Sequence, residues 1–192
     1  MAAVYQEIHR EIIELSKEGN PKAQFQLYKL YSKAMFNICV RMLNNKEEAE
    51  DLLQDSFCDV FMKLDTFRYE SSFGAWLKRI VINKCINFIN RKKADLVFQD
   101  QESEVAEKEE TVDYRNIEFD VLKIHRAVEQ LPDGYRVIFS LYALEGYDHM
   151  EISQILNISE STSKSQYLRA KQKIRELLKN NQDDRQLRRI HQ

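Results

Sequence analysis

The stretch DHMEISQILNISESTSKSQYLRAKQKI, residues 148–174, decides the fold of the second half of the chain. Asp148 and Glu151 have the spacing of a capping box, which predicts that a short helix begins there. The Asn-Ile-Ser segment at 157–159 predicts a tight turn. A longer helix is predicted from Glu160 to about Lys179, because apolar residues recur there at helical spacing. Two helices joined by so short a turn make a helix-turn-helix.

The longer helix of this motif has two chemically different sides. Its core-facing side is predicted to carry Ser163, Tyr167, Ala170, Ile174 and Leu177. The opposite side carries Ser161, Ser165, Arg169 and Gln172, flanked by Thr162, Gln166 and Lys173. A recognition helix reads base edges in the major groove from its first residues and holds phosphates with Arg and Lys farther along. The residue types fit that division, so the motif is predicted to bind DNA.

The composition predicts an all-α fold for the whole chain. Only four Gly and two Pro occur in 192 residues, which is typical of long helices, and the 43% hydrophobic content is sufficient for packed cores. Apolar periodicity and capping residues predict the remaining helices at about 3–17, 22–43, 47–64, 72–92, 119–131 and 135–144. Ser71 or Ser72 is expected to cap the helix that ends near Lys92.

The predicted helix at 72–92 separates an apolar side from a polar one. Its inward stripe is predicted to contain Phe73, Trp76, Leu77, Ile80 and Val81. At 100° per residue, Arg79, Asn83 and Asn90 share another face. Arg and Asn bind bases and phosphates, so this helix is a second candidate for nucleic-acid binding.

Charge is segregated along the chain although the net charge is only −2. Residues 46–66 hold seven acidic and two basic residues, whereas 78–93 hold six basic residues and no acidic one. Residues 94–120 hold ten acids against two bases, and 159–192 hold nine bases against four acids. Two basic blocks separated by an acidic segment indicate two sites for a polyanion.

The acidic segment also predicts the domain boundary. Residues 95–117 lack helical periodicity, and their many negative charges repel one another, so they are expected to form a flexible linker. The predicted organisation is then a first domain at 1–94, the linker, a second domain at 118–180 and a tail at 181–192 to which no role is assigned. The tail is expected to be a frayed or disordered end.

No cofactor, metal site or catalytic group is predicted. Cys39, Cys58 and Cys85 lie in apolar helical patterns and are expected to be buried free thiols, and the four histidines are too scattered to share an ion. Neither a phosphate-binding Gly-rich loop nor a nucleophile paired with a base is evident in the sequence. The chain has no signal-peptide layout and no apolar run long enough to cross a bilayer, so a cytoplasmic, non-enzymatic protein is expected.

Two segments carry a family resemblance when they are taken together. The segment AEDLLQDSFCDVFMKLDTFRYESSFGAWLKRIVINKCINFINRKK (49–93) is similar to the sigma-2 domain of extracytoplasmic-function sigma factors of the sigma-70 family. The segment LPDGYRVIFSLYALEGYDHMEISQILNISESTSKSQYLRAKQKI (131–174) resembles their sigma-4 domain. The resemblance implies a helical sigma-2 bundle and a sigma-4 helix-turn-helix. It also implies a function as the promoter-binding subunit of RNA polymerase, with core polymerase and promoter DNA as partners and an anti-sigma factor as a further expected partner.

The resemblance implies a role for three groups of residues. The polymerase clamp would be bound by Asp51, Leu52, Gln54, Asp55 and Phe57. The loop at 66–72 would hold a base flipped from the non-template strand, and the −10 element would be contacted by Arg68, Ser71, Ser72, Trp76, Arg79, Asn83, Asn87 and Arg91. The −35 element would be read by Ser161, Thr162, Lys164, Ser165, Gln166, Arg169 and Lys173.

Three residues depart from the pattern of the family. Asn157 stands where many relatives have Gly, Ser163 replaces a frequent Val, and Gln166 replaces a frequent Arg. Asn tolerates the left-handed conformation that such turns use, so the turn is still expected. The change at Gln166 leaves the −35 sequence open.

Other interpretations are open at this point. On spacing alone, the loop aromatics Phe67, Tyr69 and Phe73 and the nearby Trp76 are core residues, and the acidic side of 46–66 is a solvated helix face. A regulator that binds a palindrome as a dimer, without polymerase, would also contain a helix-turn-helix. A helical scaffolding protein is a third alternative, which the paired basic blocks disfavour.

Overall fold

The structure, a computed structural model, describes residues 8–92 and 121–190, with side chains for 8–92 and 123–179. The described residues form helices and connecting loops without any strand. The helices are α1 (Arg10–Lys17), α2 (Pro21–Leu43), α3 (Lys46–Met62), α4 (Phe73–Lys92), α5 (Val121–Glu129), α6 (Asp133–Phe139), α7 (His149–Leu156) and α8 (Glu160–Ile190). The all-α prediction is confirmed.

The chain separates into two compact units, Met1–Ala94 and Asp95–Gln192. The predicted linker at 95–117 and the predicted start of the first helix near Ala3 lie outside the described residues. None of the described helices is both long and apolar enough to cross a membrane.

Asparagine side chains and backbone set the helix boundaries of the first unit. The Asn20 carboxamide oxygen accepts hydrogen bonds from the backbone N–H groups of Lys22 and Ala23 at 3.0 and 3.2 Å, and Pro21 occupies the first helical position of α2. Asn44 ends α2 in the left-handed conformation, and the Asn45 side chain then caps α3. These local signals are the reason that the α2 and α3 boundaries could be predicted.

The core of the first unit lies between α2, α3 and α4, with α1 packed on α2. Its fully buried side chains include Ile13, Leu27, Met42, Val60, Phe73, Leu77, Val81 and Ile82. Each such side chain contributes about 1.5–3 kcal/mol of transfer free energy. This shared core holds the outward faces of α3 and α4 in fixed positions.

Two expectations about the first unit are wrong. Helical spacing predicts that Phe25 belongs to the apolar stripe of α2, but the residue is 60% exposed. Cys58 is exposed on α3, whereas Cys39 and Cys85 are buried as expected. A hydrogen bond with Cys39 and, as the second cause, burial raise the pKa of the Cys85 thiol, so Cys85 stays protonated in the core.

The second unit has its own core, which α5 and the turn after it form together with α8 and against which Tyr135 and Phe139 of α6 pack. Its buried residues are Ala127, Val128, Leu131, Ala170 and Ile174. The predicted helix at 135–144 begins at Asp133 and changes at Ser140–Leu144 into a π-helical turn. Helix α8 extends to Ile190, beyond the predicted end near Lys179.

The helix-turn-helix is formed as predicted. Asp148 and Glu151 form a complete capping box, with the Asp148 carboxylate accepting from the Glu151 N–H at 2.7 Å and the Glu151 carboxylate accepting from the Asp148 N–H at 2.9 Å. Asn157 has φ 54° and ψ 48°, which is the left-handed conformation that the turn requires. Asn adopts this conformation at lower cost than residues with an apolar Cβ substituent.

We predict that Asn157→Ala lowers the free energy of unfolding by about 1 kcal/mol, because alanine gains no local hydrogen bond that offsets the left-handed φ. Asn157→Gly is the matched control and should unfold at nearly the wild-type urea concentration, since glycine adopts positive φ freely. Equal stability of the two variants in urea denaturation would contradict this explanation of the turn.

Candidate nucleic-acid interfaces

The residues predicted to bind polymerase divide between the surface and the core of the first unit. Asp51, Gln54 and Asp55 are exposed on α3. Leu52 and Phe57 are only 7% and 3% exposed, and the Phe57 ring packs on Tyr28 with the ring centroids 4.9 Å apart. These two side chains face the core and therefore pack α3 against the rest of the unit. Contact of either side chain with a docked protein stays a prediction.

Ion pairs to α4 engage some of the α3 carboxylates and leave others available. Lys84 Nζ lies 3.1 Å from Asp59 Oδ2, and Lys92 pairs with Glu48. Within the part of the chain that the structure describes, the carboxylates of Asp51 and Asp55 form no ion pair. These two residues are one helical turn apart and so share a face. The acidic surface that a partner can meet is therefore centred on Asp51 and Asp55.

A groove of about 370 Å³ lies beside this acidic surface. It is lined by Tyr28, Ser32, Lys33, Phe36, Glu50, Leu53 and Gln54, which come from α2 and α3. Gln54 belongs both to the groove and to the predicted polymerase-binding set. A partner that docks on the acidic surface would thus also meet the aromatic side chains of the groove.

The loop before α4 combines buried aromatic residues with exposed polar ones. Phe67 is buried, with its ring centroid 5.6 Å from that of Phe73 and 5.3 Å from that of Trp76. Arg68 and Ser71 are exposed, and Trp76 is half-buried. The core interpretation therefore holds for Phe67 and Phe73, whereas DNA contact by Arg68, Ser71 and Trp76 stays a prediction.

Ser72 has a structural role at the start of α4. Its hydroxyl oxygen accepts a hydrogen bond from the Ala75 N–H at 3.1 Å, and its carbonyl accepts from the Trp76 N–H at the same distance. It is thus the N-cap that the sequence assigned to Ser71 or Ser72. A contact with DNA would have to coexist with this hydrogen bond.

The outer side of α4 carries a row of exposed polar residues. Arg79, Asn83, Asn87 and Arg91 follow one another at four-residue steps and all are exposed. Twelve residues of helix place the ends of this row about 18 Å apart. Each turn thus presents one side chain suited to a base or phosphate, in line along the helix.

The recognition side of α8 is only partly exposed. Ser161, Lys164 and Lys173 are exposed, and Ser165 and Arg169 are half-buried. Lys164 pairs with Glu160 at 2.7 Å and Lys173 with Glu176 at 3.2 Å. Such exposed pairs within one helix contribute only about 0.3–0.5 kcal/mol, so both ammonium groups can exchange their partners for phosphates.

Two residues predicted to read the −35 element are buried. Thr162 is 6% exposed and its hydroxyl is hydrogen-bonded to the Ser159 hydroxyl, which also caps α8 by accepting from the Thr162 N–H at 3.0 Å. Gln166 is 3% exposed. The predicted base contact is therefore disfavoured for Thr162, whose hydroxyl belongs to the cap, and for Gln166, whose side chain is buried.

Sequence reasoning missed a cluster that connects α7 with α8. The His149 ring stacks on Tyr142 at 4.4 Å between centroids, and its Nδ1 is hydrogen-bonded to Ser163 Oγ at 2.9 Å. Tyr167 completes the cluster, 4.4 Å from Tyr142 between ring centroids. Ser163 is fully buried, so its hydroxyl needs this partner. A serine at a predicted core position was the signal that could have indicated the contact.

The described residues contain no group of three or more His, Cys, Asp or Glu side chains that could hold a metal ion. The candidate binding surfaces are an acidic face on α3, a polar and basic row on α4 and a basic side on α8. This combination suits binding to a protein and to a nucleic acid.

Comparisons with known proteins give the same assignment for both halves of the chain. The family described as Sigma-70 region 2 matches residues 27–94, and the family described as Sigma-70, region 4 matches 122–174. The ECF RNA polymerase sigma factor SigW of Bacillus subtilis is 31% identical over 180 residues, which cover 87% of this chain and 95% of SigW. SigM of the same organism is 26% identical over 158 residues, covering 79% of this chain and 93% of SigM.

Two solved structures share the fold. The sigma factor RpoE in complex with the anti-sigma factor NepR, from Bartonella quintana, matches with a TM-score of 0.53 and 24% identity, over 80% of this chain and 95% of that chain. CnrH in complex with the cytosolic domain of CnrY also matches with a TM-score of 0.53, at 22% identity, over 90% of this chain and 97% of that chain.

The His149 contact predicts a pH dependence of stability. Burial, with a contribution from the nearby Lys164, lowers the pKa of His149 below its usual range. Because the folded-state pKa lies below the unfolded value of about 6.5, the folded state favours the neutral ring. Its stabilising contribution is fully present above that value and decreases as the pH falls through it.

We therefore expect the difference in unfolding free energy between wild type and His149→Gln to shrink as the pH is lowered from 7.5 to 5. Urea denaturation at each pH measures this difference. His125→Gln, which removes an exposed histidine of α5, is the matched control. A difference that stays constant over the range would show that the neutral ring of His149 does not stabilise the fold.

Proposed function

The chain belongs to the extracytoplasmic-function (ECF) subfamily of the sigma-70 family, and from this premise we propose how its surfaces divide the work of transcription initiation. As an ECF RNA polymerase sigma factor it binds core polymerase and recognises promoters. The domain at 1–94 would bind the polymerase clamp and the −10 element, and the domain at 118–180 would bind the −35 element. The protein would act in the cytoplasm, as an initiation factor without catalytic activity of its own.

The observation that carries the proposal is the separation of charge on the first unit. The unpaired carboxylates of Asp51 and Asp55 lie on α3, whereas the row from Arg79 to Arg91 lies on α4. A polyanion would be repelled by the first surface and attracted by the second. One small domain can thus bind a basic protein surface and DNA at the same time without competition between them.

Polymerase would dock on the acidic surface and the adjacent groove. Asp51 and Asp55 would steer a basic partner into place, because complementary charge accelerates association. Gln54 and the aromatic lining of the groove would then supply short-range contacts. Leu52 and Phe57, which are buried, would act by keeping α3 rigid.

The loop before α4 and the outer row of α4 would bind the −10 element. Arg68 and Ser71 are exposed in this loop, and Trp76 lies next to it. Capture of a flipped base by the loop would offset the few kcal/mol that unstacking costs. The row on α4 would follow the backbone of the opened strand, so that binding favours the open complex.

The −35 element would be contacted by Ser161, Lys164, Ser165, Arg169 and Lys173 of α8. The first residues of the helix would face base edges and the later ones phosphates. The hydrogen bond between His149 and Ser163 would hold α8 against α7, so that these side chains keep their positions in the major groove.

An anti-sigma factor is the expected regulatory partner, as RpoE of Bartonella quintana was solved with one. Such a partner would have to cover the acidic surface of α3, the basic row of α4 or the basic side of α8. Each of these surfaces has exposed residues in the described part of the chain, and initiation would require each of them.

We predict that the purified protein binds promoter duplex weakly by itself and supports specific initiation once core RNA polymerase is added. Run-off transcription over a promoter library randomised in the −35 and −10 elements measures this directly. Tight, sequence-specific binding of duplex by a polymerase-free dimer would overturn the proposal in favour of a regulator that acts alone.

The double variant Asp51→Asn/Asp55→Asn is expected to bind core polymerase roughly 5- to 30-fold more weakly, which corresponds to about 1–2 kcal/mol for two interfacial charges. The loss should be largest at low salt because exposed charges are screened. Fluorescence anisotropy of labelled protein gives the affinity.

The matched control is Glu11→Gln/Glu18→Gln, which removes two exposed carboxylates at α1 and changes the net charge by the same amount. It should bind core polymerase like the wild type. Equal affinities of the two double variants at low salt would exclude the acidic surface of α3 as the docking site.

A further inference from the structure

Helix α1 contacts the loop before α4 at Tyr69 and at the Phe67 carbonyl. The Tyr69 hydroxyl donates a hydrogen bond to Glu14 Oε1, and the Arg10 guanidinium and the Lys17 ammonium each lie 4.8 Å from the centroid of the Tyr69 ring. Lys17 also donates a hydrogen bond to the Phe67 carbonyl at 3.3 Å. We call these contacts the α1 clamp. It joins residues that are fifty or more positions apart in the sequence.

The clamp is attached to a rigid support. Ile13 and Ser16 of α1 are buried, and the Ser16 hydroxyl donates to the Ile12 carbonyl at 2.7 Å. On the other side, Phe67 is buried against Phe73 and Trp76. The loop is thus fixed between α1 and the aromatic core, and movement at Tyr69 would require several contacts to break together.

The backbone at Tyr69 needs such a restraint. Its φ of 61° lies in the left-handed region, which tyrosine rarely adopts because of the steric conflict at Cβ. Strained backbone of this kind persists where the surrounding contacts determine it, and it is concentrated at functional sites. The hydrogen bonds with Tyr69 and then Lys17 lower the pKa of Glu14, so the carboxylate is charged and accepts strongly at neutral pH.

The contacts of Tyr69 also limit how its side chain can interact with DNA. Its ring meets two cations, and the ring centroid of Phe67 lies 4.7 Å from its own. Its hydroxyl is engaged by Glu14. A ring surrounded in this way is poorly placed to stack on a base. The neighbouring Arg68, Glu70 and Ser71 are exposed instead. Their positions depend on the backbone conformation at Tyr69.

We propose that α1 is a positioning element for the DNA-reading loop: Glu14, Arg10 and Lys17 hold Tyr69, and Tyr69 fixes the backbone from which Arg68 and Ser71 meet the flipped base. The inference rests on the proposed binding of the −10 element by this loop. Base selectivity is a difference between binding energies, so it depends on how accurately the contacting groups are held. Loosening the clamp should therefore reduce selectivity among bases more than it reduces binding.

The test uses the full chain with core polymerase and a promoter library randomised at the −10 element. For each protein, selectivity is the ratio of the amounts of open complex formed on promoters that carry the most and the least favoured base at a −10 position. Tyr69→Gly removes the ring and relieves the left-handed strain, so the fold is retained while the clamp is lost. We expect its −10 selectivity to fall about tenfold, as for the loss of one charge-assisted hydrogen bond and its ring contacts.

Conservative variants separate the parts of the clamp. Tyr69→Phe keeps the ring contacts and loses the hydrogen bond, and Glu14→Gln keeps the shape and loses the charge, so both should give intermediate selectivity. Glu11→Gln, on the same helix, should match the wild type. In every variant, core affinity and −35 selectivity should be unchanged.

The possible outcomes discriminate between the inference and the function on which it rests. Wild-type protein that initiates without any base preference in the −10 element would overturn the proposed role of the loop and the inference with it. If the wild type is selective and the Tyr69→Gly and Glu14→Gln proteins are folded, bind core polymerase and keep full selectivity, only the inference is overturned. A loss of −35 selectivity that equals the loss at −10 would also overturn it, since that result indicates general destabilisation.

Discussion

The packing of α4 against α2 and α3 is the constraint on which the first unit depends. Phe73, Leu77, Val81, Cys85 and Ile89 follow one another at four-residue steps and are all buried. Because one side of a helix can face the core only if the opposite side faces outward, this burial determines the exposure of the row from Arg79 to Arg91. The DNA-facing surface is thus a consequence of core packing, and it cannot rotate without exposing those apolar side chains.

The same packing organises the charges of α3. Lys84 and Lys92 of α4 reach the carboxylates of Asp59 and Glu48, which lie on the side of α3 nearest to α4. Asp55 lies on the same side, and Lys84 donates to its backbone carbonyl at 2.8 Å, but within the described residues the carboxylates of Asp51 and Asp55 form no ion pair and are left for a partner. Neutralisation at the boundary between the two helices therefore separates an acidic surface from a basic one. Without it, the carboxylates beside α4 would weaken the attraction of the row for a polyanion.

Local signals explain what could be predicted from the sequence. The capping box of Asp148 and Glu151, the turn at Asn157 and the helix boundary at Pro21 each depend on residues within a few positions of one another. Periodicity also gave the inward stripe of α4. The predictions that concern exposure were weaker, since periodicity shows which residues share a side but not how much of it a neighbour covers. Phe25 is exposed for this reason.

The candidate site was predictable only in part. The sequence pattern placed Arg79, Asn83 and Asn90 on one face, and the family resemblance added Asn87 and Arg91. The analysis by periodicity missed the local hydrogen bond between the Thr162 hydroxyl and the Ser159 cap, and it could not show that Gln166 is buried, because that burial depends on tertiary contacts. The contacts of His149 with Ser163 and of Tyr69 with Glu14 cross between elements, and each joins a side chain that sequence analysis left without a role. A surface that reads DNA must leave its contacting groups exposed, so those groups contribute little to their own anchoring. The accuracy that selectivity requires must then come from a neighbouring helix, α7 for the recognition helix and α1 for the loop.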